Sequence, residues 1–224
     1  MQSLTLERPT HHATAPIRQI LHVGCGGAAQ GKLHPAFAGP GWSEVRLDID
    51  PGVIPDVIAS ITNMVPIKSA TMQALYSSHN LEHLAAHEVP LALAEFARVL
   101  APDGIALITV PDLQSVAELV VTGNLTDQAY MSPLGPIAPL DILYGFRPAI
   151  AQGNDFMGHR TGFTDRSLLM ALMAAGFADA VVQRSTGSFS LWAIAFRTAP
   201  DAARMRAVQA LMFPHKVAQH ADPV

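Results

Sequence analysis

The sequence predicts an α/β fold, a doubly wound, mostly parallel seven-stranded sheet with an antiparallel last strand. Three observations carry this prediction. The buried apolar run Ile20–Val23 enters a glycine turn at Gly24–Gly27. Strand-like apolar runs then alternate with helical stretches, the pattern of a parallel sheet with right-handed crossovers. Only the polar turn 185–188 separates the final two strands, and so short a connection forms a hairpin that reverses the last strand.

The elements follow in order along the chain. After the first strand, Ile20–Val23, the glycines and prolines of residues 24–41 allow only a short helix. The other strands are predicted at Glu44–Ile49, Pro55–Ser60, Met72–Ser77, Gly104–Val110, Ala180–Arg184 and Phe189–Arg197. Helices are predicted at Pro90–Leu100, Ser167–Ala175 and Ala202–Met212.

Composition limits the classes of function. The 224 residues are half hydrophobic, which predicts one domain, 1–224, able to bury a core. A net charge of −4 predicts neither nucleic-acid nor membrane binding. Residues 1–18 lack an apolar run and are predicted to form an N-terminal arm rather than a signal peptide. The single cysteine, Cys25, excludes an internal disulfide and favours a cytoplasmic protein. Composition does not decide between a monomer and a homodimer.

The glycine turn and a later acidic residue predict a nucleotide site. Glycine lets the backbone approach a ligand closely because no Cβ intervenes. Asp48 follows Gly26 by 22 residues, near the spacing at which α/β nucleotide-binding proteins place a carboxylate for ribose hydroxyls. Asp50 is a rival for this role, and either carboxylate could instead cap the turn before Pro51.

Four motifs, in this order, resemble the class I S-adenosylmethionine-dependent methyltransferases, and within them the broad group related to quinone-biosynthesis methyltransferases. They are Val23–Gly26, Leu47–Ile49, Tyr76–Leu84 and Glu95–Gly104. The resemblance implies the Rossmann-like methyltransferase fold and S-adenosylmethionine as cofactor. It also implies methyl transfer to an oxygen or nitrogen atom of a small molecule.

The resemblance further implies which residues bind the cofactor. The glycine turn passes beneath the amino acid part, Asp48 accepts hydrogen bonds from the ribose, and Ile49 lies against the adenine. The chain departs from the family at His22, which replaces an acidic residue, at Ala28, which replaces a glycine, and at Ser60, where an acidic residue often lies near the adenine. The predicted set is His22, Gly24, Cys25, Gly26, Gly27, Asp48, Ile49, Ser60, Ile61, Ser78 and His79.

Residues 112–162 form a segment much longer than an ordinary connection from strand to helix. The segment leaves the carboxyl end of the fifth strand, where open α/β sheets bind ligands, so we predict an inserted substrate cap. Its substrate-binding candidates are Asp141, Tyr144, Arg147, His159 and Arg160. Alternatively, Asp141, Tyr144 and Arg147 only satisfy one another. The catalytic candidates are His79, as a general base or a group that orients the substrate, His159 and Tyr144.

Two other chemistries are weighed and set aside. His79, His83 and His87 recur at four-residue spacing and could bind zinc on one continuous helix. Pro90 places the helix start only near His87, however, so no metal ligands are predicted. Cys25 could be a reactive thiol at a helix N-terminus, but a glycine loop favours a small apolar role for it.

Two alternative functions stay open. An NAD-dependent oxidoreductase would share the glycine turn and Asp48, although the full G-x-G-x-x-G pattern is missing and the reversed last hairpin argues against it. A non-catalytic S-adenosylmethionine-binding protein would fit the departures at His22 and Ala28.

Overall fold

The computed structural model describes residues 16–28, 32–133, 135–185 and 187–213. Most of the predicted arm, residues 1–15, lies outside the described residues, and the first strand already begins at Arg18. No helix in the described ranges is long and apolar enough to cross a membrane.

The main sheet contains seven strands. In chain order, the strands of the structure are β1 (Arg18–Val23), β2 (Trp42–Asp48), β3 (Val57–Ile58), β4 (Met72–Ser78), β5 (Leu100–Pro111), β6 (Tyr130–Ser132), β7 (Gly135–Ile137), β8 (Asp179–Ser185) and β9 (Ser190–Phe196). The sheet order is β3-β2-β1-β4-β5-β9-β8, and β6 pairs with β7 in a separate hairpin. Strand β9 runs antiparallel to β5 and β8, while the other pairs are parallel. The predicted fold class is therefore confirmed, with the reversed strand lying inside the sheet rather than at its edge.

Three α-helices lie close to their predicted positions, and three further α-helices lie in the 112–162 segment, for which no helix was predicted. They are α1 (Val89–Val99), α2 (Leu113–Val121), α3 (Pro139–Tyr144), α4 (Arg147–Ala151), α5 (Asp165–Ala174) and α6 (Ala202–Met212). Short 3-10 turns occupy Pro35–Phe37, Pro51–Val53, Leu81–His83 and Asp155–Met157. In the described part of the run after the glycine turn, only Pro35–Phe37 is helical, as the glycines and prolines predict.

Two strand predictions had the wrong length. Pro55–Ser60 was predicted as the third strand, but only Val57–Ile58 pairs, because Ser60 instead bridges to Asn63 in a turn. The fifth strand was predicted from Gly104, but α1 passes directly into β5 at Leu100. Leu100 pairs with Met72 and Ile105 pairs with Ala74, with a shift of register between the two pairs. The strand therefore begins before the proline and glycine that were expected to separate it from the helix.

Two apolar cores cover the two faces of the sheet. Successive side chains of a strand point to opposite faces, and accordingly Leu21 and Val23 join one core while Ile20 joins the other. Helices α1 and α5 cover the first core through Leu93, Phe96 and Leu168, among others. The second core contains Phe37 and residues of α6. The rigid sheet between them fixes the carboxyl ends of its parallel strands.

The Glu95–Gly104 motif contributes hydrogen bonds that stabilise the fold. The guanidinium of Arg98 donates to both carboxylate oxygens of Glu95 and to the carbonyls of Met64 and Ile67. Glu95 in turn accepts a hydrogen bond from the Met64 backbone N–H, at 2.6 Å. This network holds the loop that leads into β4 against α1.

Candidate functional site

A cavity of about 700 Å³ opens at the carboxyl-end rim of the sheet. The rim between β1 and β4 is where the order of connections reverses, which is the ligand-binding position of open α/β sheets. On the sheet side the cavity is lined by Gly24, Gly26, Asp48, Ile49, Asp50, Ser60, Ile61 and His79. On the opposite side the 112–162 segment contributes Tyr130, Ile137, Phe146, Met157 and His159.

Gly24 shapes the turn above β1 by leaving room for another side chain. Its φ is +57°, and a Cβ there would lie 1.7 Å from Oδ1 of Asn80. The Asn80 amide donates to the carbonyl of Val23, at 2.9 Å, so the turn is tied to the loop after β4. Asn80 stands inside the Tyr76–Leu84 motif, but sequence reasoning did not single it out, since no spacing rule connects it with Gly24.

Asp48 secures the same turn from the β2 side. Its Oδ2 accepts the Gly26 N–H at 2.8 Å, and its Oδ1 accepts the Asp50 N–H at 3.0 Å. Asp50, which also lines the cavity, caps the following 3-10 turn by accepting the Gly52 N–H at 2.7 Å. Both rival carboxylates thus lie at the cavity, and Asp48 is the one that holds the glycine turn.

The adenine-side candidates also reach the cavity. Ile49 is 52% exposed although it directly follows a buried strand. Ser60 and Ile61 line the same wall. An exposed apolar side chain at this position offers a surface against which a heterocycle can pack.

Four predicted cofactor residues do not line the cavity: His22, Cys25, Gly27 and Ser78. The buried His22 ring bonds to Glu44, with Nδ1 and Oε1 2.6 Å apart. Burial lowers the pKa of His22, and the carboxylate of Glu44 only partly offsets this. Burial likewise raises the pKa of the Cys25 thiol, which does not favour a reactive thiolate there.

His79 also lines the cavity, just after β4. Its backbone adopts a left-handed φ of +52°, and its Nδ1 lies 3.1 Å from Oε1 of the buried Glu82. Desolvation lowers the pKa of His79, but the hydrogen bond and charge of Glu82 raise it more. The carboxylate therefore fixes the ring and makes its imidazole more basic.

The cap candidates divide into two groups. Asp141, His159 and Arg160 line the cavity, whereas Tyr144 and Arg147 do not. Asp141 and Arg147 form a bidentate ion pair, with Nε–Oδ1 at 2.6 Å and Nη2–Oδ2 at 3.1 Å. For these two residues the structure thus shows the mutual satisfaction that was weighed as an alternative, while Tyr144 is 64% exposed.

This fold and this cavity define a class I methyltransferase architecture. Residues 21–108 match a family model described as a methyltransferase domain. The predicted resemblance to class I S-adenosylmethionine-dependent methyltransferases is confirmed, and S-adenosylmethionine is the cofactor of that class. The relation to quinone-biosynthesis methyltransferases stays a prediction.

Solved structures with the same fold are distant in sequence. One is a possible exported protein from Bordetella parapertussis, with 17% identity, a TM-score of 0.54 and coverage of 82% of this chain. This chain spans 63% of that protein, less than two thirds of its length. No match was found among curated proteins.

Two further structures are methyltransferases by name. One is the 1,6-didemethyltoxoflavin-N1-methyltransferase of Burkholderia thailandensis, with bound 1,6-didemethyltoxoflavin and S-adenosylhomocysteine. It has 18% identity and a TM-score of 0.53, with 82% of this chain and 72% of that one covered. The other is a Methanosarcina mazei S-adenosylmethionine-dependent methyltransferase, with 17% identity and a TM-score of 0.53, covering 88% of this chain and all of that one. At these identities the likeness shows the fold.

Proposed function

We propose that this chain transfers the sulfonium methyl group of S-adenosylmethionine to an oxygen or nitrogen atom of a small molecule. The observation that carries the proposal is the position of the cavity. It joins the glycine turn, Asp48, Asp50 and His79 at the rim of the sheet to the 112–162 segment. When bound, the cofactor supplies an electrophilic methyl group, and the protein's task is to align it and exclude water.

The sheet side of the cavity fits the cofactor. Asp48 already accepts two backbone N–H groups, so its contribution is to hold the turn and to offer its remaining lone pairs to a ribose hydroxyl. Asp50 lies beside it and offers a second carboxylate. Ile49, half exposed between them, provides the apolar surface for the adenine.

The opposite side fits an acceptor with an apolar body. Tyr130, Ile137, Phe146 and Met157 bring apolar surface to the cavity, which supports a substrate cap formed by residues 112–162. His79 has one ring nitrogen bonded to Glu82, and its other nitrogen is left to orient an acceptor hydroxyl or amine or to take up its proton. His159 and Arg160 are the polar candidates for substrate contact.

Removing either β2 carboxylate is expected to weaken cofactor binding. Asp48→Ala and Asp50→Ala each remove a charged acceptor, which is worth about 1.5–3 kcal/mol, or roughly ten- to hundredfold in affinity. Isothermal titration calorimetry with S-adenosylmethionine and S-adenosylhomocysteine measures this, with Asp103→Ala, an exposed acid far from the cavity, as the control. If both variants bind the cofactor with unchanged affinity, the ribose is not bound by Asp48 or Asp50.

The same titrations separate the rival functions. Binding of NAD without S-adenosylmethionine would favour an oxidoreductase. Binding of S-adenosylmethionine with no transfer of a labelled methyl group to any component of a low-mass metabolite extract would favour a non-catalytic binding protein. Transfer to a low-mass product would support the proposed function and identify the acceptor.

A further inference from the structure

A cluster of metal-ligand type lies on the acceptor wall of the cavity. One ligand atom from each of Glu82, His83 and His159 lies within 4.8 Å of the other two, and all three residues line the cavity. Glu82 and His83 belong to the 3-10 turn after β4, whereas His159 belongs to the 112–162 segment. The cluster thus spans the two sides that enclose the cavity.

In His83 and His159, a hydrogen bond at one ring nitrogen orients the ring and leaves the other nitrogen available to a metal ion. Nδ1 of His83 lies 3.1 Å from the carbonyl of Gly158, and Nδ1 of His159 lies 2.8 Å from the carbonyl of Ile142. A carbonyl oxygen only accepts hydrogen bonds, so each Nδ1 carries the proton and each Nε2 keeps a lone pair. Histidines that bind metals are oriented in this way by an outer hydrogen bond.

Glu82 brings to the cluster a buried oxygen atom without a partner in the part of the chain that the structure describes. Glu82 is 1% exposed, and its Oε2 has no hydrogen-bond partner among the residues that the structure describes. Its Oε1 bonds to His79, and its backbone carbonyl accepts the N–H groups of Arg160 and Thr161 at 2.8 and 3.2 Å. The side chain is therefore held in place while one buried oxygen lacks a partner, a cost that a cation would remove.

We propose that Glu82, His83 and His159 bind a divalent transition-metal ion of the Zn²⁺ class. Two imidazole nitrogens and one carboxylate are a ligand set of catalytic zinc sites, which leave a further position open. With metal–ligand distances of about 2.1 Å, neighbouring ligand atoms of a tetrahedral site lie roughly 3.4 Å apart. The three ligand atoms, which lie within 4.8 Å of one another, therefore move closer by side-chain rotation when the ion binds. The set differs from the regularly spaced His79, His83 and His87, since His87 is exposed and does not join it.

The open position gives the ion a role in substrate binding, and this part rests on the proposed function. The three residues line the same cavity as His79, so an acceptor with an oxygen or nitrogen donor could occupy the free position. Because His159 comes from the 112–162 segment and Glu82 from the turn after β4, the ion would also hold that segment against the sheet.

Zinc binding by the full chain tests the inference without cofactor or turnover. After chelation and dialysis, the protein is titrated with Zn²⁺, and with Co²⁺ as a spectroscopic probe of coordination. We expect one Zn²⁺ per chain, a Co²⁺ spectrum of tetrahedral or five-coordinate type, and a higher thermal midpoint with Zn²⁺. Glu82→Gln and His159→Gln should each weaken binding at least about 100-fold, the upper end of the loss from removing even a supporting group.

His87→Gln is the matched control, because it removes a histidine of the same segment outside the cluster and should bind like the parent. Absence of stoichiometric Zn²⁺ binding would overturn the inference. So would loss of binding in His87→Gln with retention in His159→Gln. If Glu82→Gln does not fold, His159→Gln alone decides. If the chain binds Zn²⁺ but not S-adenosylmethionine, the metal site stands and the proposed function fails. If it binds S-adenosylmethionine but not Zn²⁺, the metal site fails and the proposed function is unaffected.

Discussion

Asp112→Ala is expected to lower the free energy of unfolding by about 3 kcal/mol, near the lower end for a broken buried ion pair. Asp112 is 1% exposed at the end of β5. It accepts the backbone N–H groups of Gln114 and Ser115 at the start of α2 and the Ser115 hydroxyl at 2.6 Å. Its Oδ2 also lies 2.9 Å from Nε of Arg184 on β8. One carboxylate thus joins the sheet to the start of the 112–162 segment.

Asp201→Ala is the control for this change. Asp201 also caps a helix, α6, where it accepts the Arg204 N–H at 2.7 Å, but it is exposed and forms no ion pair within the described part of the chain. Loss of a helix cap alone costs about 1 kcal/mol. The difference between the two variants in urea unfolding therefore measures what Asp112 contributes beyond a helix cap, which is the Arg184 pair together with the Ser115 hydroxyl bond. Equal effects of the two substitutions would contradict the structural role given to Asp112.

Gly24→Ala is expected to destabilise the chain by about 3 kcal/mol and to abolish most cofactor binding. A left-handed backbone costs a non-glycine residue about 1–2 kcal/mol. The new Cβ would also displace Asn80, whose Oδ1 would lie at 1.7 Å, and so break its hydrogen bond to Val23. Leaving that buried carbonyl without a donor adds about 1–3 kcal/mol. Thermal unfolding and calorimetry with S-adenosylhomocysteine measure the two effects.

Gly27→Ala is the control within the same turn. A Cβ at Gly27 would meet no atom within 4 Å, and its φ lies outside the left-handed region, so stability should change little. Asn80→Ala placed on the Gly24→Ala background should recover part of the lost stability, because it removes the clash. If the double variant is no more stable than Gly24→Ala, the contact between the two residues is not the cause.

Local sequence patterns were enough to predict the main strands of the sheet. The apolar run before Gly24, the spacing to Asp48 and the polar turn 185–188 were enough to place β1, β2 and the reversed β9, because each depends on residues close together in the chain. Strand lengths were less predictable. Leu100 enters β5 without a loop because it pairs with Met72, and tertiary pairing of this kind overrides the local turn residues.

Site residues could be predicted where the family resemblance assigns a role to a residue next to a strand. They could not be predicted where segments far apart in the sequence come together in the fold. Asp48 and Ile49 follow β2 directly, so their place at the rim follows from the strand. Asn80 fills the space above Gly24, and His159 joins Glu82 and His83, only after the sheet and the 112–162 segment fold together. No period or spacing in the sequence connects these residues, and the four-residue spacing points to His87 rather than His159 as the neighbour of His83.

The most direct test of the cofactor site is a crystal structure of the chain with S-adenosylhomocysteine. We expect the amino acid part of the ligand to lie beneath Gly24–Gly26, its ribose hydroxyls to bond to Asp48 or Asp50, and its sulfur atom to face His79. A ligand bound outside this cavity, or a cavity closed by the protein's own side chains, would contradict this expectation.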